Sequence, residues 1–365
     1  MSLDQYYLLG RSGLRVSRLA LGTMNFGTGG FHAAYGKARD EIRPVFRRYL
    51  EAGGNLIDTA DFYTAGESET ILGDLIAEAG VRDRVVLTTK FTNSVEPGDP
   101  NAGGNGRKHM IRAVEASLRR LRTDHIDLFL LHTWDRITPV EEVMRTFDDL
   151  TRAGKIRYAG LSDVPAWYAA RAQTLADTGA FPPVLCVQLP YSLIDRAIEF
   201  EHVPMGRDLG VGITAWSPLG GGFLTGKYRR DGQGLAGPGR LDRSGSAWRS
   251  WTDREWRILT AAEKVAAELG VTTAQVAVNW VATQPGIASA IVGASDVRQL
   301  DGTMAALGFE IPQELRAVLD EASAVTPPLV YGMFTPEYQG DLVSPGVKVG
   351  DKPAGYAPAV RNWVA

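Results

Sequence analysis

A (β/α)8 barrel, an α/β TIM barrel with long C-terminal-face loops and an irregular C-terminal tail, is the fold class that this sequence predicts. Eight short, mostly apolar and often β-branched runs recur along the chain, and segments of helical period lie between them. The pattern fills roughly 300 residues, against about 250 plus insertions for a typical barrel. The runs are Leu19–Leu21, Leu56–Thr59, Val85–Lys90, Asp127–His132, Tyr158–Ser162, Val184–Leu189, Gly212–Ser217 and Ile287–Val292. Their near-continuous apolar content fits strands covered on both faces, as parallel strands are. A doubly wound sheet would announce a Gly-x-Gly-x-x-Gly turn after its first strand. Here the first run is followed by Gly22-Thr23-Met24-Asn25-Phe26-Gly27, and Gly220-Gly221-Gly222 comes only after the seventh.

The helical segments carry their own signals. Glu41–Ala52 is closed by Gly53-Gly54, and Glu67–Ala79 by Gly80. Over Met110–Leu121, Ile111, Val114, Leu118 and Leu121 fall on one stripe. Thr138-Pro139-Val140-Glu141 reads as an N-cap, a proline at the first helical position and an acidic first turn. Trp256, Leu259, Ala262, Val265, Ala266 and Leu269 form a later stripe. Three polar, glycine-containing stretches, 28–37, 92–106 and 229–251, follow strands and are expected as long loops on the C-terminal face. The tail 326–365, with prolines at 327, 328, 336, 345, 353 and 358, has little periodicity and is expected to drape over a barrel of residues 15–325. The chain reads as one domain, 1–365.

Composition narrows the function. Hydrophobic residues make up 44% of the 365, and 39 Lys and Arg face 42 Asp and Glu, a net charge of −3. That balance argues against nucleic acid or an anionic membrane as the main partner. A single cysteine, Cys186 in an apolar run, excludes an intrachain disulfide and reads as strand packing. The first residues lack the basic and apolar parts of a signal peptide, so the cytoplasm is the expected compartment. Nothing in the pattern signals a homo-oligomer or argues against one.

Catalytic groups of a barrel project from the C-terminal ends of its strands. Asp58 ends the second run with Tyr63 just beyond, Lys90 ends the third and His132 ends the fourth. Singly, Asp58 resembles a helix cap, Lys90 an ion-pair partner, His132 a buried histidine and Tyr63 a rim residue. Jointly they bring an acid, a phenol, an ammonium and an imidazole to one mouth. A free phenol titrates near ~10, and an adjacent ammonium is expected to lower that value. An acid paired to the lysine fixes its position, and a histidine donor can stabilise charge developing on a carbonyl oxygen. With no ready nucleophile and no metal-ligand cluster, the set suits an acid step coupled to hydride delivery. A metal-assisted hydrolase is disfavoured, because of five histidines only His132 ends a strand.

At these residues the sequence resembles the aldo-keto reductase family, in its bacterial oxidoreductase branch related to potassium-channel β subunits. The likeness spans about residues 5–325 and includes Leu21-Gly22-Thr23-Met24, Asn55 through Tyr63, Asp127 through His132, Gly154 through Ser162, and Trp216 through Gly222. It implies reduction of an aldehyde or ketone with NADPH, NADH being the other cofactor to consider. Tyr63 would be the general acid, with Asp58, Lys90 and His132 completing a tetrad. Thr23, Met24 and Asp58 would approach the cofactor, Ser162 and Gln188 would hold the carboxamide, and Trp216 would stack on the nicotinamide ring. Ser217, Pro218, Leu219, Gly220 and Gly221 would wrap the pyrophosphate with backbone N–H groups, Lys227 would meet a phosphate, and Gly293, Ser295 and Gln299 would meet the adenosine end.

Two departures stand out. Asp163 follows Ser162 where many relatives have Asn or Arg. Gly302 and Thr303 replace polar adenine contacts, so Arg240, Arg229 or Arg230 is expected to supply the 2′-phosphate contact. Phe26, Phe62, Phe91 and Trp134 are expected to line the mouth, suiting an apolar or ring-containing carbonyl substrate. The rival reading is a nucleotide-binding regulatory subunit using the same barrel with little turnover; the full tetrad favours the enzyme.

Overall fold

The computed structural model describes residues 2–179, 181–231, 234–241 and 251–347. Eight parallel strands close into a barrel: β1 (Leu19–Gly22), β2 (Leu56–Asp58), β3 (Val86–Phe91), β4 (Ile126–Leu131), β5 (Ile156–Ser162), β6 (Val184–Pro190), β7 (Gly212–Trp216) and β8 (Ile287–Val292). Strand β8 pairs with both β7 and β1, which completes the closure. Each of the eight runs expected from sequence lies on one of these strands. Around them run α1 (Arg39–Glu51), α2 (Glu67–Ala79), α3 (Arg107–Leu121), α4 (Val140–Arg152), α5 (Ala166–Asp177), α6 (His202–Leu209), α7 (Asp253–Leu269), α8 (Thr273–Ala282), α9 (Val297–Met304) and α10 (Gln313–Ser323).

Local chemistry explains the helix ends. Thr252 and Glu255 form a capping box on α7, and Thr272 and Gln275 form another on α8. The start of α4 differs from the expectation. Thr138 Oγ1 donates to Asp135 Oδ2 at 2.6 Å, so Pro139 takes the cap position and Val140 opens the helix. Residues 15–17 also fall outside the barrel. Tyr6–Leu8 and Arg15–Ser17 form an antiparallel hairpin at the N-terminal end, where Leu9 and Val16 are buried with Leu56, Val86, Leu128, Leu185, Cys186 and Ala288.

Side chains alternate across a strand. On β3, Val86 and Lys90 point into the barrel, while Leu87, Thr89 and Phe91 face the helices. Thr89 Oγ1 meets Glu69 of α2 at 2.5 Å. Phe91 therefore does not line the mouth. It is fully buried, stacked on Phe129 at 5.1 Å and edge-on to Phe147 of α4 at 6.5 Å. Phe91→Ala is expected to cost about 3–5 kcal/mol of stability through the cavity it leaves, read as a lower denaturant midpoint. KM for substrate should stay unchanged.

The three long loops do lie beyond strands. The first holds one 3-10 turn (Gly30–Tyr35), and the third opens with a hairpin of Arg229–Asp231 and Gly234–Ala236. Residues 242–250 lie outside the described residues. The tail drapes less than expected. Tyr331 packs on Phe200 at 5.5 Å and hydrogen-bonds Glu201, but Leu329, Phe334 and Leu342 are exposed. Residues 348–365, with Pro353 and Pro358, lie outside the described residues. No described helix is long and apolar enough to cross a membrane.

Candidate active site at the barrel mouth

Asp58, Lys90 and His132 leave the C-terminal ends of neighbouring strands and converge with Tyr63. Lys90 is fully buried and uses all three of its donors: Nζ lies 2.6 Å from Asp58 Oδ1, 2.8 Å from the Thr59 carbonyl oxygen and 3.3 Å from Tyr63 Oη. Burial opposes its charge, but the Asp58 carboxylate and the Tyr63 oxygen outweigh burial and hold the ammonium above its ordinary pKa. Asp58 accepts a second bond at Oδ2, from Gln188 Nε2 at 2.8 Å.

Tyr63 departs from the expectation of a lowered pKa. Burial raises its phenol, and the pull of Lys90 only partly offsets this, so the group stands above its ordinary value and keeps its proton at neutral pH. The segment after it is strained. Thr64, Ala65 and Gly66 take left-handed φ values of 49°, 58° and 91°, unfavourable for the first two residue types. Thr64 Oγ1 donates to the Phe26 carbonyl oxygen at 2.6 Å, which ties this turn to the loop after β1.

His132 is held neutral, its pKa pushed well below the ordinary value by burial and then by Lys90 and His32. Its backbone N–H reaches Phe91 O and Thr92 Oγ1, and the amide of Asn93 lies 3.4 Å from Nδ1. With that amide donating, the ring carries its proton on Nε2.

Sequence reasoning missed His32. It is buried against Tyr63 and Phe62, both at 5.4 Å, and its Nδ1 accepts from the Thr64 N–H at 3.3 Å. Burial and then Arg240 lower its pKa to about 4. A histidine in a glycine-rich loop carries no strand-end signal, so only the fold brings it here.

On the opposite side, Ser162 and Gln188 end paired positions on β5 and β6. Ser162 Oγ is buried beside the Asp163 carboxylate at the end of β5, where it can meet an incoming amide. Trp216, half-buried at the end of β7, donates from Nε1 to Asp163 Oδ1 at 3.0 Å. Burial lifts this Asp163 carboxyl to about 6 even against the indole donor.

The N–H groups of the glycine turn, expected by resemblance to wrap a pyrophosphate, are engaged within the turn itself. Gly220, Gly221 and Gly222 donate to Ser217 O, Ser217 Oγ and Leu219 O inside the turn. Their left-handed φ values still explain the glycines, and a Cβ on Gly220 would meet Ile194 at 2.4 Å. Pro218 is buried and Leu219 half-buried beside them, while Lys227 is exposed, with Nζ 5.7 Å from the Tyr228 ring centre.

Thr23 is buried after β1, its Oγ1 bonded to Asp58 O at 3.0 Å, and Met24 is half-buried beside it. Gly293 is exposed after β8, and Asn25 reaches across to Ala294 O at 3.0 Å. Gln299 Oε1 accepts from the Ser295 N–H, and Asp296 caps Gln299 N, so these side chains organise the start of α9.

Arg240 lies 4.6 Å over the Tyr35 ring and joins the first and third loops across the mouth. Arg230 pairs with Asp253 at 2.7 Å, and Arg229 faces Glu263 at 3.8 Å. Of the four aromatics expected at the mouth, Phe62 is half-buried against Tyr63 and His132, and Trp134 is half-buried against Trp167. Phe26 is fully buried in the hydrophobic core and contributes its carbonyl to the Thr64 bond. Phe26, like Phe91, therefore presents no exposed wall.

Comparison with known proteins agrees with this architecture. A family model described as the aldo/keto reductase family matches residues 18–324. An uncharacterized oxidoreductase, YrpG, of Bacillus subtilis is 36% identical over 327 residues, covering 87% of this chain and 95% of its own. Norsolorinic acid reductase stcV of Emericella nidulans is 33% identical, covering 83% and 77%. A probable voltage-gated potassium channel subunit beta of Oryza sativa subsp. japonica is 34% identical, covering 88% and 96%. With a closed eight-stranded barrel, Asp58, Tyr63, Lys90 and His132 grouped at its mouth, and a family match across most of its length, this chain belongs to the aldo/keto reductase family of oxidoreductases.

Proposed function

We propose that this protein reduces an aldehyde or ketone to an alcohol with NADPH, and that Tyr63 supplies the proton. The observation that carries the reading is the Lys90 cluster: one buried ammonium touching both Asp58 and the phenol of Tyr63. When bound, the reduced nicotinamide supplies a hydride to the carbonyl carbon. Tyr63 Oη gives its proton to the carbonyl oxygen, so two electrons and two hydrogens are accounted for in the alcohol. Lys90 stabilises the phenolate left behind, and Asp58 keeps Lys90 charged and in place. Neutral His132 offers Nε2–H to the same oxygen and leaves no cation to compete with Lys90 for the phenol.

Ser162 and Gln188 suit the carboxamide, and Trp216 the flat ring. The pyrophosphate would meet the glycine turn after rearrangement of its internal bonds. Phe62 and Trp134 are the aromatics left to meet substrate, favouring an apolar or ring-containing carbonyl compound. The test is loss of reduced-nicotinamide absorbance when protein, NADPH and an aromatic aldehyde are mixed. Tight NADPH binding with no turnover across a panel of aldehydes, ketones and keto-sugars would favour a nucleotide-binding regulatory role instead.

Cofactor choice depends on cations near the 2′-phosphate, and Lys227 is exposed and available for it. A charge-assisted hydrogen bond is worth about 1.5–3 kcal/mol, hence a roughly ten- to hundredfold preference for NADPH. Lys227→Met is expected to bring the NADPH/NADH ratio of kcat/KM towards unity while leaving the NADH value nearly unchanged. Equal losses with both cofactors would assign Lys227 to the pyrophosphate.

A further inference from the structure

We infer that Asp163 selects the redox state of the bound dinucleotide: its carboxylate, fixed at the edge of the Trp216 ring, makes the site hold the oxidised cofactor more tightly than the reduced one. The inference rests on the cofactor reading above and adds a role that the carboxamide and stacking contacts do not contain.

The geometry fixes the charge in place. Asp163 Oδ1 accepts from Trp216 Nε1 at 3.0 Å. The Asp163 backbone N–H donates to Gln188 O at 3.1 Å, and its carbonyl accepts from Trp134 N at 3.4 Å. With φ at +46°, the residue sits in the left-handed region, which Asp and Asn tolerate better than most residues. It thus bridges the ends of β5, β6 and β7 with its carboxylate in contact with the indole edge. The cation whose field reaches it, Lys90, is already in contact with Asp58 at 2.6 Å. At pH 8, above its value of about 6, the group is ionised.

The two cofactor states differ in charge at the stacked ring. The oxidised nicotinamide is a cation and the reduced one is neutral. A carboxylate bonded to the edge of the Trp216 platform, in a partly desolvated site, would favour a cation stacked there. It also acts through the indole: an N–H bonded to an anion makes the ring face more electron-rich, and a cation is attracted to that face. Both effects have the same sign. An Asn here would keep the shape and the bond but lose the charge.

The test is a pair of binding titrations at pH 8, NADP+ and NADPH, each followed by quenching of tryptophan fluorescence in the native protein and in Asp163→Asn. The variant keeps an acceptor for Trp216 and tolerates the same φ, and an unchanged Tm would verify its fold. Kd(NADP+)/Kd(NADPH) is expected to rise about tenfold or more in the variant, chiefly through weaker NADP+ binding. A tenfold rise is about 30 mV in the potential of the bound two-electron couple. Asp163→Ser, equally uncharged, should shift the ratio in the same direction. A ratio unchanged within twofold, or equal weakening of both ligands, would overturn the inference and leave the cofactor reading intact. Failure of the native protein to bind either dinucleotide would overturn both.

Discussion

Tyr63→Phe is expected to lower carbonyl reduction about 10²–10⁴-fold, the usual effect of removing a positioned acid. NADPH affinity should stay near the native value, because the phenol proton is needed only in the chemical step. The substitution removes one oxygen from a ring held by His32, Phe62 and His132, so the packing survives. The Lys90 ammonium loses one of its three contacts but keeps Asp58 and the Thr59 carbonyl. Single-turnover kinetics with saturating NADPH read the effect, and a variant that retained more than half of the single-turnover rate would place the acid elsewhere.

Lys90→Met should be the most damaging single change to stability at the mouth. Removing one partner of a buried ion pair leaves the other charge uncompensated and typically costs about 3–5 kcal/mol. Asp58 would keep only the Gln188 amide as a side-chain donor. The variant should melt several degrees lower, and neutralising the stranded charge should rescue it. The double variant Asp58→Asn/Lys90→Met is expected to recover at least half of the lost stability while remaining inactive. If the double variant were less stable than Lys90→Met, the pair would not be the source of the loss.

The barrel was legible because each strand is apolar on both faces, a pattern that a parallel sheet wrapped in helices requires. Asp58, Lys90 and His132 were legible for a related reason: a charged or polar residue closing an apolar run marks the strand end that faces the mouth. Phe91 was misplaced because adjacency in sequence hides the two-residue period; the neighbour of an inward lysine must point outward. Phe26 was misplaced because a loop has no period to say which way its side chains turn. His32 and the Asp163–Trp216 bond were invisible for want of any local signal, since both depend on contacts between loops and strands far apart in the chain. The glycine run stood out in the sequence by its small residues, but sequence could not tell that they take left-handed φ or which acceptors their N–H groups would find.

The hairpin that plugs the N-terminal end of the barrel leaves the proposed reaction a single door. Leu9 and Val16 cover the floor and pack with Leu56, Val86, Leu128, Leu185 and Ala288, so the N-terminal end of the barrel is closed by buried apolar side chains. What the proposed chemistry consumes or releases would then cross the same mouth, including the proton expected to restore Tyr63 after each turnover. In the proposed reaction a nicotinamide on Trp216 would take the wall of that mouth, and the expected order is dinucleotide before carbonyl compound, with alcohol leaving before the spent dinucleotide. The expected steady-state signature is a compulsory-order pattern, with the alcohol product a noncompetitive inhibitor against the dinucleotide.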